Sequence, residues 1–159
     1  MPSSAIAKIK SARSLPFVAL ALVLVAAAAI WWLTAGSTAE KSLQAGGQTY
    51  HLELAATPEA RQQGLSGREA LAQDRGMLFM YEREGIFCFW MQDMQFALDI
   101  MWLDAQQTVV HIEAHVSPET YPASFCPDSG AQYVIELNAG EAARAGIETG
   151  QQLDIQPSP

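Results

Sequence analysis

The sequence predicts a mainly β (α+β) fold: a compact β-barrel or sandwich of about seven strands with two short helices, behind an N-terminal transmembrane helix. Three observations carry this. Apolar or alternating runs of strand length recur at roughly ten-residue spacing from Leu43 onward. Helix start and stop signals enclose only short stretches. Ahead of both lies one uncharged apolar run, Leu15 to Leu33.

That run divides the chain into a basic segment (1–14), the apolar span (15–33), a small and polar tether (34–42) and a β-rich domain (43–157). At about 1.5 Å per residue, the span as a helix covers roughly 28 Å, close to the hydrocarbon core of a bilayer. Lys8, Lys10 and Arg13 precede it and no basic residue follows before Lys41. The positive-inside rule then keeps the N-terminus in the cytoplasm and exports the rest, with Trp31 and Trp32 at the far interface. The expectation is a single-pass protein of the bacterial inner membrane with a periplasmic or extracellular domain. The alternative is a signal peptide cleaved near Ala39, and in either case the domain is exported.

Within the domain, Leu43 to Ala55 reads as a hairpin turning at Gly46-Gly47, with Tyr50, Leu52 and Leu54 on one face. Thr57 is an N-cap, Pro58 the first helical residue, and Gly64 the stop. Ser66 to Ala72 is expected to form a second helical turn. Strands are expected at Gly76–Tyr81, Ile86–Met91, Asp99–Leu103, Thr108–Val116, Gln132–Leu137 and Gln151–Ile155. A short helix over Asn138–Gly146 should bury Ala139, Ala142 and Ala143. Ile86–Met91 is apolar on both faces, which predicts a central strand.

The net charge of −8 is a sum of unlike parts: +3 over residues 1–42 and −11 over residues 43–159, where sixteen Asp or Glu face five Arg and no Lys. A domain so acidic repels a phosphate backbone, so no nucleic-acid partner is expected. Cys88 and Cys126 are the only cysteines. In an oxidising compartment they are expected to form a disulfide, and their apolar neighbours do not favour a reactive thiolate.

Seven ordered elements carry a family resemblance: Arg61-Gln62-Gln63-Gly64-Leu65, Gly76-Met77-Leu78-Phe79, Phe89-Trp90-Met91, Leu98-Asp99-Ile100, Val134-Ile135-Glu136-Leu137, Ala139-Gly140 and Gly146-Ile147-Glu148-Thr149-Gly150. From about Gln48 to Ile155 the chain resembles the family catalogued as domain of unknown function 192. The resemblance implies a small β-rich barrel or sandwich, often exported behind an apolar segment, and no settled activity. The chain departs from the pattern after Phe-Trp-Met: Gln92, Asp93 and Met94 stand where the family has a basic residue, Asn and Thr.

Candidate site residues follow from the densest part of the chain, Met77 to Trp102, which holds five of the six Met and seven of the fourteen aromatics. Most of these side chains are expected to be core. Trp90 with Asp93 and Asp99 near a strand end suits stacking on a sugar ring with carboxylates accepting hydroxyl hydrogen bonds. The alternative places Trp90 in the core and Asp99 in a turn. Arg61 is the fourth candidate ligand-binding residue; it is otherwise expected as an ion-pair partner of Asp99 or Glu136, or as an exposed helix residue. A glycosidase needs two carboxylates at set separation, which sixteen acids in a sequence do not define.

For metal binding, the alternation in Thr108–Val116 puts Val109, His111, Glu113 and His115 on one face, a weak candidate ligand set on a single strand. No phosphate-binding glycine loop and no nucleophile elbow is present, so no cofactor and no catalytic residue is assigned. The expected role is a non-enzymatic binding module for a carbohydrate-like or small polar ligand, or for an envelope protein. The alternatives are a metal-binding or redox-related envelope protein, and a structural interaction domain without a small ligand.

Overall fold

The structure is a computed structural model that describes residues 40–157. The expected membrane span, Leu15–Leu33, lies outside the described residues, and among those no helix is long and apolar enough to cross a membrane.

Strand β1 (Glu40–Ala45) pairs antiparallel with β2 (Gln48–Ala55) across Gly46-Gly47. Both glycines have positive φ, as a two-residue hairpin turn requires. Gly46 also packs so tightly that a Cβ there would lie 2.6 Å from the Ala145 Cα. Because β1 starts at Glu40, the folded domain already includes the last residues of the expected tether. Helix α1 (Pro58–Gln63) begins as expected: the Thr57 hydroxyl accepts from the Ala60 N–H at 3.2 Å, and Gly64 ends it. Ser66–Ala72 is the end of a turn followed by irregular loop rather than a helix.

Then come β3 (Arg75–Gly85), β4 (Phe89–Trp90), β5 (Leu98–Leu103), β6 (Val109–Val116), β7 (Ser124–Phe125), β8 (Ala131–Asn138), α2 (Glu141–Arg144) and β9 (Ile155–Pro157). Seven strands form one sheet in the order β6-β5-β8-β3-β2-β1-β9, parallel only between β2 and β3. The sheet is not a closed barrel, which corrects that part of the expectation. The segment before β9 meets the β6 edge: Val109 exchanges backbone hydrogen bonds with Gly150 and Gln151 at 2.7 and 2.8 Å, and Thr108 bridges Gln152. The predicted strand Gln151–Ile155 is reduced to that bridge plus β9.

Register sorts the side chains into two faces. On one, Leu52, Leu78, Ile135, Leu137, Met101 and Leu103 pack beneath α2 and the segment after it. Ala142 and Ala145 are buried there while Ala143 is exposed, a helical phase different from the one predicted. On the other, Met77, Phe79, Val134, Ile100 and Trp102 pack against Leu65, Phe89 and Met91. We call these the α2 face and the ribbon face.

The ribbon is the two-stranded pair β4–β7, in which Phe89 faces Phe125 and Trp90 faces Ser124. Ile86–Met91 is therefore not a central strand. Its alternation holds, with Phe89 and Met91 buried and Cys88 and Trp90 outward. It packs on the sheet rather than within it, and a core-facing side chain is apolar in either arrangement. Cys88 and Cys126 flank the paired residues at disulfide distance and staple the ribbon. The fully buried Trp102 donates its indole N–H to the Phe87 carbonyl at 2.8 Å, tying the ribbon's approach to the sheet.

Candidate functional site

The ribbon face does not close completely. Between α1, the end of β3, the ribbon and β8 lies a cavity of about 160 Å³, its lining including Arg61, Phe79, Tyr81, Phe89, Trp90 and Glu136. At about 30 Å³ per water molecule, that is room for a ring-sized ligand group. A second depression of about 300 Å³ adjoins it, and it is the shallow part in that its lining, including Glu59, Gln62, Trp90, Gln92 and Asp93, is of exposed or half-buried residues, whereas the first reaches the buried Phe79, Phe89 and Glu136. Both share Gln62, Gln63, Ser66 and Trp90, so together they form one cleft with Trp90 common to its two parts.

The local causes can be traced. Phe79 and Tyr81 point into the cavity because β3 alternates, and Glu136 joins them because the register sets it opposite Met77 on one side and Ile100 on the other. Phe79 and Phe89 meet edge to face at 4.8 Å, and Tyr81 stacks on Phe87. Arg61, in the last turn of α1, donates from one nitrogen to the Ala56 and Met80 carbonyls, the latter at 2.9 Å, and lies 4.9 Å from the Tyr81 ring centroid. Beyond the ribbon, the turn at Gln92-Asp93 docks on the loop after α1. Ser66 donates to the Gln92 carbonyl, and the Gly67 N–H to that of Asp93, both at 2.9 Å. Asp93 takes a positive φ of 55° there. The three positions that depart from the family pattern thus sit at the cleft, Gln92 and Asp93 in the shallow part and Met94 in the deep one.

Glu136 is the cleft's distinctive group. It is only 5 % exposed, and among the described residues no side chain or backbone group hydrogen-bonds its carboxyl. Burial pushes that carboxyl up to about 8, opposed only by the charge of Arg68. Arg68 is itself committed, forming two hydrogen bonds to Glu53 at 2.7 and 2.8 Å that hold the Glu53 carboxyl below its ordinary range. Near neutral pH, Glu136 is thus mostly a carboxylic acid that can both donate and accept.

Of the expected ligand-binding residues, the structure brings Trp90, Asp93 and Arg61 to the cleft. Trp90 is 58 % exposed, so it does not fill the core. Asp99 is elsewhere. It points to the α2 face, is fully buried, and accepts from the His115 N–H and the Ala142 N–H, each at 2.9 Å. Arg61 pairs with neither Asp99 nor Glu136. The sequence points to Glu136 only as a partner for Arg61. The signal that could have singled it out is a lone acid in the apolar run Tyr133–Leu137.

The His111, Glu113 and His115 set does not assemble. A bulge near Val109 sends that residue to the α2-face core, and a second bulge at Asp99 gives His115 a positive φ of 57°. His111 and Glu113 remain neighbours at 3.4 Å. Among the described residues no three potential metal ligands converge. A larger depression of about 480 Å³ lies at Gln106, Gln107 and Gln152. Its amides are used in packing: Gln152 donates to the Gln106 carbonyl, and Gln107 accepts from the Ile155 N–H.

The fold has solved relatives. A protein from Sinorhizobium meliloti 1021, described as a candidate transcription regulator, is 32 % identical with a TM-score of 0.65, covering 74 % of this chain and 92 % of its own. A protein of unknown function from Novosphingobium aromaticivorans DSM 12444 is 27 % identical with a TM-score of 0.66, covering 72 % and 83 %. No curated protein matches the chain. The family model DUF192, described as an uncharacterized ACR, matches residues 41–155. With that match spanning the sheet, the ribbon and the cleft, the chain belongs to the DUF192 family.

Proposed function

We propose that this protein is a non-enzymatic binding module whose cleft takes a carbohydrate-like or other small polar ligand. The observation that carries the reading is a buried carboxyl without a partner, Glu136, at the base of a cavity rimmed by an exposed Trp90. A buried polar group lacking a hydrogen bond costs about 1–3 kcal/mol, so a ligand hydroxyl that satisfies it gains correspondingly. An exposed indole supplies a flat apolar face for a sugar ring. Nothing in the cavity resembles a nucleophile with a base, which favours binding over catalysis.

The domain operates outside the cytoplasm, held to the membrane through Leu15–Leu33. Support comes from the basic residues ahead of that run and from the cysteine pair at disulfide distance, which suits an oxidising compartment. Direct contact with nucleic acid is disfavoured by the −11 balance of residues 43–159.

The test is ligand-observed NMR on the purified full-length chain with a panel of monosaccharides, disaccharides and polyols. Hits should lose their transfer signal with Trp90→Ala and weaken with Glu136→Ala. Hits indifferent to both substitutions, or a panel without hits, would overturn the reading.

A further inference from the structure

We infer that the cleft selects an elongated ligand whose ring-sized end enters the deep cavity and whose other end carries a protonated amine into the shallow depression. The inference rests on the binding role proposed above and adds the ligand's length and charge.

Length follows from the shared wall. Trp90 and the loop after α1 line both depressions, so a ligand confined to the 160 Å³ cavity leaves the adjoining 300 Å³ space to water. Two linked rings, with the indole between them, use both.

Charge follows from what lines each part. The deep cavity ends on Glu136, nine-tenths buried, unpartnered and held largely protonated, a group that exchanges hydrogen bonds with hydroxyls. The shallow part is different. Glu59 and Asp93 are exposed carboxylates there, and no Lys, Arg or His is among its lining residues. Arg61 belongs to the deep part, where its guanidinium is engaged with two backbone carbonyls and the Tyr81 ring. An ammonium at the shallow end meets two carboxylates and the electron-rich face of Trp90, both of which attract cations. A sulfate, phosphate or carboxylate there meets repulsion, reinforced by the acidity of the whole domain.

Isothermal titration of the full-length chain with three β-1,4-linked disaccharides separates the claims. The probes are diglucosamine, its di-N-acetyl form and cellobiose, at about pH 6, where an aliphatic amine is protonated. Diglucosamine should bind about tenfold more tightly than either neutral probe, a difference of about 1.4 kcal/mol. Glu59→Gln with Asp93→Asn should remove that advantage, so that the variant binds diglucosamine no more tightly than it binds cellobiose. Both residues are exposed, so an unchanged melting temperature is expected and checks the fold. Raising the salt should erode the preference, as screening of exposed charges requires. Glucosamine alone should bind more weakly than the disaccharide. Equal affinity for all three disaccharides would overturn the amine while the binding role stands. Glucosamine as tight as diglucosamine would overturn the length. No binding by any probe would overturn this inference, and the broader panel then decides the binding role separately.

Discussion

Asp99 and Glu136 stand on neighbouring strands, one register step apart, and both are buried, yet they belong to different kinds of surroundings. Asp99 faces α2 and has both oxygens occupied. One receives the His115 N–H at the bulge, the other the Ala142 N–H in the first turn of α2. That helix lacks a side-chain N-cap, so Asp99 supplies the capping oxygen from across the sheet. Nearby Glu141 also has partners: its Oε2 accepts from the Tyr50 hydroxyl at 2.9 Å and from Arg144. Glu136 faces the ribbon and has no such partner. The α2 face is a finished core with its polar groups closed on one another. The ribbon face stops short of closure and leaves its acid at the base of a cleft. A buried carboxylate whose hydrogen bonds are complete serves the fold, whereas one left incomplete beside an opening has capacity for a ligand.

Substitutions on the two faces test this contrast. The largest effect is expected on the ribbon: replacing Cys88 and Cys126 together by Ala removes a cross-link over a sequence separation of 38. The loop-entropy model gives a loss of about 4 kcal/mol, read from denaturant unfolding. A loss under about 1 kcal/mol would mean that Phe89 and Met91 hold the ribbon by packing alone. On the other face, Asp99→Ala strands two backbone donors in the interior. It should cost about 2–4 kcal/mol, and amide exchange at Ala142 and His115 should speed up. Unchanged exchange at both amides would contradict the capping role.

Glu136 should behave in the opposite way. Its carboxyl titrates near 8 in the native state, against an ordinary value of 4.5. Between those values the native protein holds a proton that the unfolded chain has released. The contribution is therefore fully present below 4.5 and is lost as pH rises through 8, at up to about 1.4 kcal/mol per pH unit. Glu136→Gln should remove that slope and leave the protein more stable than the parent at about pH 8. Parallel stability–pH curves for the two proteins would show that Glu136 has a partner after all. Glu53 has the reverse sign, because Arg68 holds its carboxyl below the ordinary range. Its contribution is present above the ordinary value and disappears as pH falls through the lower native one. The pair is partly exposed, so Glu53→Gln should cost only about 0.5–1 kcal/mol. Smallest of all, Trp90→Ala should change stability by no more than about 0.5 kcal/mol, since the indole is mostly in solvent. A larger loss would return Trp90 to the core.

The legible parts of the fold were those fixed by near neighbours in the chain. Gly46-Gly47 needs only its own backbone freedom to turn a hairpin, and Thr57-Pro58 needs only the next turn to start a helix. The alternation in Ile86–Met91 likewise told which side chains turn inward. Its position did not, because a strand packed on a sheet and a strand within it bury the same residues. The candidate site is legible in the chain only in part. Trp90, Asp93 and Arg61 do share a cleft, and Asp99 appeared with them only because it follows closely in sequence. Strand β5 turns it to the opposite face. The bulges in β6 were invisible for the same reason: an extra residue that reverses Val109 and His115 is inserted by pairing with β5, not by local preference.

The family, the β-rich composition of the domain, the asymmetric charge and the two cysteines suited to a bridge are legible in the chain without any structure. These are properties of residue identity, order and short-range periodicity. The folded arrangement keeps the sheet open and lays the ribbon across one face of it. It also decides which of two neighbouring acids is satisfied. Each depends on strand register and on contacts between residues far apart in the chain, such as Asp99 with Ala142. A one-residue change of register exchanges the two faces, so no local reading of the chain could have told the structural acid from the one that lines the cleft.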